Sequence, residues 1–172
     1  MFKKLFSVAL FAIISFGAQA QFVFDEGDVA INTGIGFISA DGLIPSFNLS
    51  AELGLIPTGD VGVVSIGGEL EYKYSKLMGL YYNQLTIGPR AAWHMQMDFL
   101  EQTNFDLYAG LGVGLRVYKI YNGVTFNLDS KLGAYISTFI GGRMMLDDNF
   151  GVFAELGGGG IAVTKAGIIL RL

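Results

Sequence analysis

The chain has no cysteine, three prolines, one histidine and one tryptophan among 172 residues. Without cysteine there is neither a disulfide framework nor a thiolate metal site, and one imidazole is too few to build a histidine site. Charged residues are 15% of the chain, against about 25% in an average protein. The 52% of hydrophobic positions exclude disorder, because so apolar a chain can bury enough surface to offset its ordering entropy. The formal net charge of −4, with no basic cluster after the N-terminus, excludes a nucleic-acid partner. Long apolar runs are missing too. After Gln21 the longest stretch without a charge, Leu77 to Pro89, has 13 positions, below the roughly 18 of a membrane-spanning helix. Glycine is abundant: 25 residues, roughly twice the usual share.

Residues 1–20 combine Lys3 and Lys4, an apolar run from Leu5 to Phe16, and the small-residue site Ala18-x-Ala20. This is the pattern of a secretory signal peptide cut before Gln21. The mature region, 21–172, then holds nine basic and 15 acidic residues, a net charge of −6. It is expected to form one domain.

Period-two alternation runs through that domain. From Phe105 to Tyr118 the odd positions are all apolar, whereas the even ones include Asp106, Arg116, Tyr118 and three glycines. Such alternation marks a strand with one apolar face. The pattern recurs at 28–38, 46–55, 61–74, 81–96, 126–144, 149–157 and 162–172, with turn residues between. Eight strands are expected, an all-β antiparallel up-and-down barrel with both ends on one side. Pro89 falls inside the fourth strand, and a bulge at Gly88-Pro89 is expected to accommodate its missing N–H.

The apolar faces carry no charge over these segments. Opposite them lie Glu52, Glu69, Glu71, Arg90, Arg116, Lys131, Arg143, Glu155 and Lys165, which are expected to form a paired charge network filling the lumen. Aromatics on the apolar faces gather at strand ends. Phe37, Phe47, Tyr72, Tyr74, Tyr81 and Phe126 sit at one rim, with Trp93, Phe105 and Phe150 at the other. Two aromatic girdles around an aliphatic band fit a transmembrane barrel, since a soluble core has no reason to sort aromatics by height.

These features make the mature chain resemble the small eight-stranded outer-membrane barrels of the OmpX, OmpA-transmembrane and OmpW type. Its C-terminal stretch, with Lys165, Gly167, Leu170 and Leu172, looks like the family's assembly signal, ending in Leu where the family usually has Phe. The resemblance implies a monomer in the outer membrane of a Gram-negative cell. Its partners would be outer-membrane lipid, with periplasmic chaperones and the barrel-assembly machinery during biogenesis. No OmpA-like periplasmic domain is expected to follow.

Two enzymes are known on such barrels, a lipid A deacylase and a palmitoyltransferase. The deacylase wants a serine two residues after its histidine, where this chain has Gln96 after His94. No G-x-S-x-G occurs, no acid lies near His94 in sequence, and Gly110, Gly112 and Gly114 share one strand face, unlike a dinucleotide loop. No catalytic, metal or cofactor site is expected. The expected function is that of a non-enzymatic structural or surface-interacting barrel. A narrow channel or OmpW-like carrier for small solutes is the alternative, and a soluble exported ligand-binding barrel the third.

Overall fold

The computed structural model describes residues 23–39, 45–77, 80–97, 100, 103–122 and 125–172. The expected signal peptide, 1–20, lies outside them. Eight strands follow in order: β1 (Val29–Ser39), β2 (Ser46–Pro57), β3 (Gly62–Leu77), β4 (Leu80–Met95), β5 (Phe105–Asn122), β6 (Thr125–Met145), β7 (Phe150–Gly158) and β8 (Ala162–Arg171). Each pairs antiparallel with the next, and β1 pairs with β8, closing the barrel.

The alternation sets the faces. Leu111, Ile136 and Ile140 point outward and are 54%, 70% and 60% exposed, whereas Glu52 and Arg143 point inward at 2% and 1%. Phe37, Phe47, Tyr72 and Tyr74 are exposed at one end of the outer wall, with Tyr81 half-buried beside them. Trp93, Phe105 and Phe150 mark the other end, where the Trp93 indole donates to Thr58 Oγ1 at 3.1 Å. The side chain of Phe126 lies outside the described residues.

Several strands outrun their expected limits. β3 continues to Leu77 and β5 to Asn122, so Lys76 and Lys119 belong to strands and not to connections. β6 has 21 residues but β7 only nine. The β6–β7 ladder starts at Thr138 opposite Gly158, so the part of β6 before Thr138 pairs with β5 alone. Likewise β3 meets β2 only as far as Lys73 opposite Ser46. The β3–β6 side of the wall therefore stands taller than the β7–β8 side.

The expected bulge at Gly88-Pro89 is absent. β4 pairs β3 without interruption, Pro89 opposite Gly68, and meets β5 with Ile87 opposite Leu115 and Arg90 opposite Gly112. The β5 register is the same on both sides of the proline, and the ladder omits Gly88 and Pro89. An added residue is unnecessary because Gly88 and Gly114 let the two backbones close up. A Cβ on Gly88 would strike the Val113 carbonyl and Gly114 Cα.

Other glycines make room for large inward side chains. A Cβ on Gly110 would meet the Phe139 ring, one on Gly141 the Tyr108 ring, and one on Gly112 the Glu69 carboxylate and Ser137 Oγ. Gly133 has nothing within 4 Å of such an atom. Gly112→Ala should therefore destabilise the barrel by about 1–3 kcal/mol through overpacking. Gly133→Ala should leave the midpoint of urea unfolding, followed by Trp93 fluorescence in lipid vesicles, unchanged.

Candidate functional site

Inward side chains fill the lumen in three tiers. At the end where β1 begins and β8 finishes, Arg143 on β6 reaches across to Glu52 on β2 (2.6 Å) and also contacts Asp106 on β5 (3.2 Å). His94 on β4 lies between the same acids, its Nδ1 2.8 Å from Asp106 and its Nε2 3.5 Å from Glu52. Ser65 Oγ donates to Glu52 at 2.8 Å, and Asn32 Nδ2 donates to Ser50 Oγ and Glu52 Oε1. Charges removed from water this completely must be paired, and each of these is.

Phe24 covers this tier. It stacks on His94 with ring centroids 4.1 Å apart, and the Arg143 guanidinium lies 5.4 Å from its centroid. The buried ring packs with Ala30, Val63, Met145 and Ile169. Gln96 Nε2 donates to the Phe24 carbonyl (3.0 Å), and Arg171 donates to that of Val23 (2.7 Å). Segment 23–28 thus closes one mouth of the barrel.

The middle tier centres on Arg90 of β4, which meets Glu155 of β7 at 2.8 Å, Glu52 at 3.4 Å and Glu69 at 3.7 Å. Its guanidinium lies 4.0 Å from the Phe139 ring centroid. The Tyr108 hydroxyl donates to Glu155, while Tyr135 and Ser137 donate to Glu69.

In the upper tier Glu71 of β3 accepts from Ser46 Oγ (2.6 Å) and from the backbone N–H groups of Ile161 (3.1 Å) and Ala162 (3.0 Å), with Lys165 3.5 Å away. Arg116 donates to the carbonyls of Gly159 (2.6 Å) and Gly160 (3.0 Å). Gly159 adopts φ +84°, a conformation that favours glycine. These bonds draw the β7–β8 turn into the opposite mouth and bury Ile161.

Of the residues assigned to the lumen network, Glu52, Glu69, Glu71, Arg90, Arg143, Glu155 and Lys165 make ion pairs there. Arg116 binds carbonyls instead of a carboxylate. Lys131 is exposed, a correction to its place in the network: it lies opposite Tyr118 on the part of β6 that rises above β7, and among the described residues it makes no ion pair. Asp106, His94, Ser65 and Phe24 complete the cluster. Asp106, 12 positions from His94 along the chain, is brought to it by the strand pairing. The β4–β5 register sets His94 opposite Tyr108, which puts Asp106 diagonally beside it on the same inward face.

Ser65, His94 and Asp106 reproduce the order of a hydrolase triad, with Ser65 Oγ 3.0 Å from His94 Nε2. Yet Ser65 and His94 are both fully buried, the hydroxyl is engaged by Glu52, and Phe24 covers the imidazole. Among the described residues no His, Cys, Asp and Glu side chains group to hold a metal ion. Removing one partner of the central pair should be costly. Arg143→Ala, which strands Glu52 and Asp106, is expected to lose about 3–5 kcal/mol of unfolding free energy. Arg143→Met combined with Glu52→Gln should recover part of it in the same urea titration.

No protein-family model matches the sequence, and no curated protein does. Solved structures do. The N-terminal β-barrel domain of Pseudomonas aeruginosa OprF matches 87% of this chain and 100% of its own, with a TM-score of 0.60 at 13% identity. Ail, the attachment invasion locus protein of Yersinia pestis, matches 86% of this chain and 99% of its own, with a TM-score of 0.53 at 15% identity. The outer membrane protein OprG of Pseudomonas aeruginosa matches 88% of this chain and 99% of its own, with a TM-score of 0.54 at 13% identity. The chain has the fold of the small eight-stranded outer-membrane barrels.

Proposed function

We propose that this protein is an integral outer-membrane barrel of structural or surface-interacting role, non-enzymatic, with a lumen that is plugged. The observation that carries the reading is the inversion of burial. Branched aliphatics such as Ile136 are exposed all round the outer wall, while Glu52, Arg90, Asp106 and Arg143 are buried inside. Water would penalise such a wall, and lipid would solvate it. A soluble ligand-binding barrel would need the reverse arrangement.

What occupies the lumen supports the plug. Three tiers of paired charges lie between the Phe24 segment and the Gly159–Ile161 turn, so neither a solute path nor an apolar carrier groove favours the channel or OmpW-like alternative. The buried Ser65 hydroxyl supports the non-enzymatic reading. Purified protein should give no stable conductance steps in planar bilayers, and Phe24→Ala should not create them, because the charged tiers beneath remain. Reproducible single-channel steps from the unmodified protein would overturn the plug and favour the channel.

The signal peptide at 1–20 and the role of Lys165, Gly167, Leu170 and Leu172 in recognition by the assembly machinery belong to the same reading. So does the orientation, with the termini in the periplasm and the β3–β4, β5–β6 and β7–β8 connections outside. Cysteines placed at Asn122 and Asp148 should then react with an impermeant maleimide from opposite sides of the membrane. Labelling of both on intact cells would reject this topology.

A further inference from the structure

The extra length of β3 and β5 has a chemical result on the lipid side. Among the described residues the outward faces of the strands carry no carboxylate, and their charges are Lys76 and Lys119. Both stand on the end of the wall marked by Tyr72 and Tyr74. Neighbouring rows of the ladder connect them: Lys76 lies opposite Tyr81, while Tyr74 lies opposite Asn83 and Asn83 opposite Lys119. Two strand spacings and two residues along the strand separate the lysines, about 12 Å between Cα atoms. That is within reach of two long side chains working on one headgroup.

Height agrees with chemistry. Lys119 lies 14 residues along β5 from Phe105, the aromatic at the opposite end of the wall. At about 3.3 Å per residue, on a strand tilted by about 40°, this is roughly 35 Å along the barrel axis. The hydrocarbon layer is about 25–30 Å thick, so Lys119 stands among the headgroups when Phe105 marks the other interface.

Beside Lys119, and two residues along β3 from Lys76, the outer wall is hollow. A depression of about 470 Å³ is lined by Tyr72, Tyr74, Asn83, Leu85, Val117 and Lys119. Tyr72 donates to Asn83 Oδ1 at 2.7 Å, and the rings of Tyr74 and Tyr81 stack at 6.2 Å. Lys76 Nζ lies 5.0 Å from the Tyr81 centroid, and Lys119 has no ion pair with a described residue. Two ammonium groups over a lipid-facing wall without acids attract a phosphate. Aromatic faces and an amide beside them suit a sugar ring, and Leu85 and Val117 below suit an acyl chain.

We propose that Lys76 and Lys119, with the hollow beside Lys119, bind a phosphorylated glycolipid of the outer leaflet. This site rests on the reading that these strands face lipid with this end outside. Lys76 and Lys119 hold the phosphates, Tyr74 and Asn83 meet the saccharide, and the chains lie along Leu85 and Val117.

The test is native mass spectrometry of the full mature barrel released from phosphatidylcholine bicelles containing one probe at a time. Bis-phosphorylated lipid A should remain bound. Its adduct should weaken about fivefold in Lys76→Ala or Lys119→Ala and about 25-fold in the double variant, each basic residue near an anionic surface contributing a similar factor. Fully dephosphorylated lipid A should not bind, and Lys131→Ala should leave the adduct unchanged. Equal retention by wild type and double variant would overturn the site. Phosphatidylglycerol held as firmly as lipid A would overturn the glycolipid, and competition by millimolar inorganic phosphate would overturn a lipid source. Gel mobility that does not change on heating would instead overturn the barrel reading, and this site with it.

Discussion

The width of an eight-stranded barrel is the constraint from which the rest of this structure follows. Closure of β1 onto β8 removes both sheet edges, and the enclosed space is only wide enough for side chains. Anything charged that points inward must find its partner within a few ångströms, since little water remains to solvate it. Glu52 consequently meets Arg143 across the lumen, Arg90 meets Glu155, and Glu71 is satisfied by a hydroxyl and two backbone N–H groups. The glycine excess has the same origin. Phe139, Tyr108 and Glu69 fit because Gly110, Gly141 and Gly112 offer no Cβ opposite them.

Much of this was legible in the sequence because a strand has the simplest of periods. Alternation gave eight strands and their faces, as at Leu111 and Ile136, and the charges then had only the lumen to enter. What stayed hidden depends on register and relative strand length. Asp106 is 12 positions from His94 along the chain, yet diagonal to it across the β4–β5 hairpin. Lys131 has the right parity for the lumen but lies above the end of β7, where parity no longer means enclosure. Arg116 has the parity of the charge network, but its partners are carbonyls of a turn, which no side-chain pattern displays.

Phe24 and Pro89 show two further limits. The segment before β1 has no alternation to follow, so nothing marks Phe24 as the ring that covers His94. Its aromatic character suits the task, since it presents a flat apolar face to an imidazole and a guanidinium. Pro89 announces a missing N–H, but whether a bulge or a close approach resolves it depends on the opposing backbone. Here Gly88 and Gly114 decide in favour of close approach. The elongation of β3 and β5 is of the same kind. Lys76 and Lys119 sit where a sequence reading ends the strands, and the ladder carries them onto the outer wall instead.

The Glu71 contacts have a kinetic side. Every junction between neighbouring strands but one joins segments consecutive in the chain. The exception is the seam between β1 and β8, held by ladder bonds between the first strand and the last. Glu71 straddles that seam, tying β3 to the start of β8 with β1 and β2 in between. Unzipping the barrel at its seam must therefore break the ladder and strip a buried carboxylate of its two backbone N–H donors in the same event. Such a coupled step raises the barrier to unfolding more than it raises equilibrium stability, provided the tie forms after the folding transition state. A contact spanning 91 positions of sequence is of the kind that forms late. The turn that closes the mouth opposite Phe24 thus also acts as a clasp on the seam, so the lifetime of the folded barrel depends on residues far from its most densely charged tier.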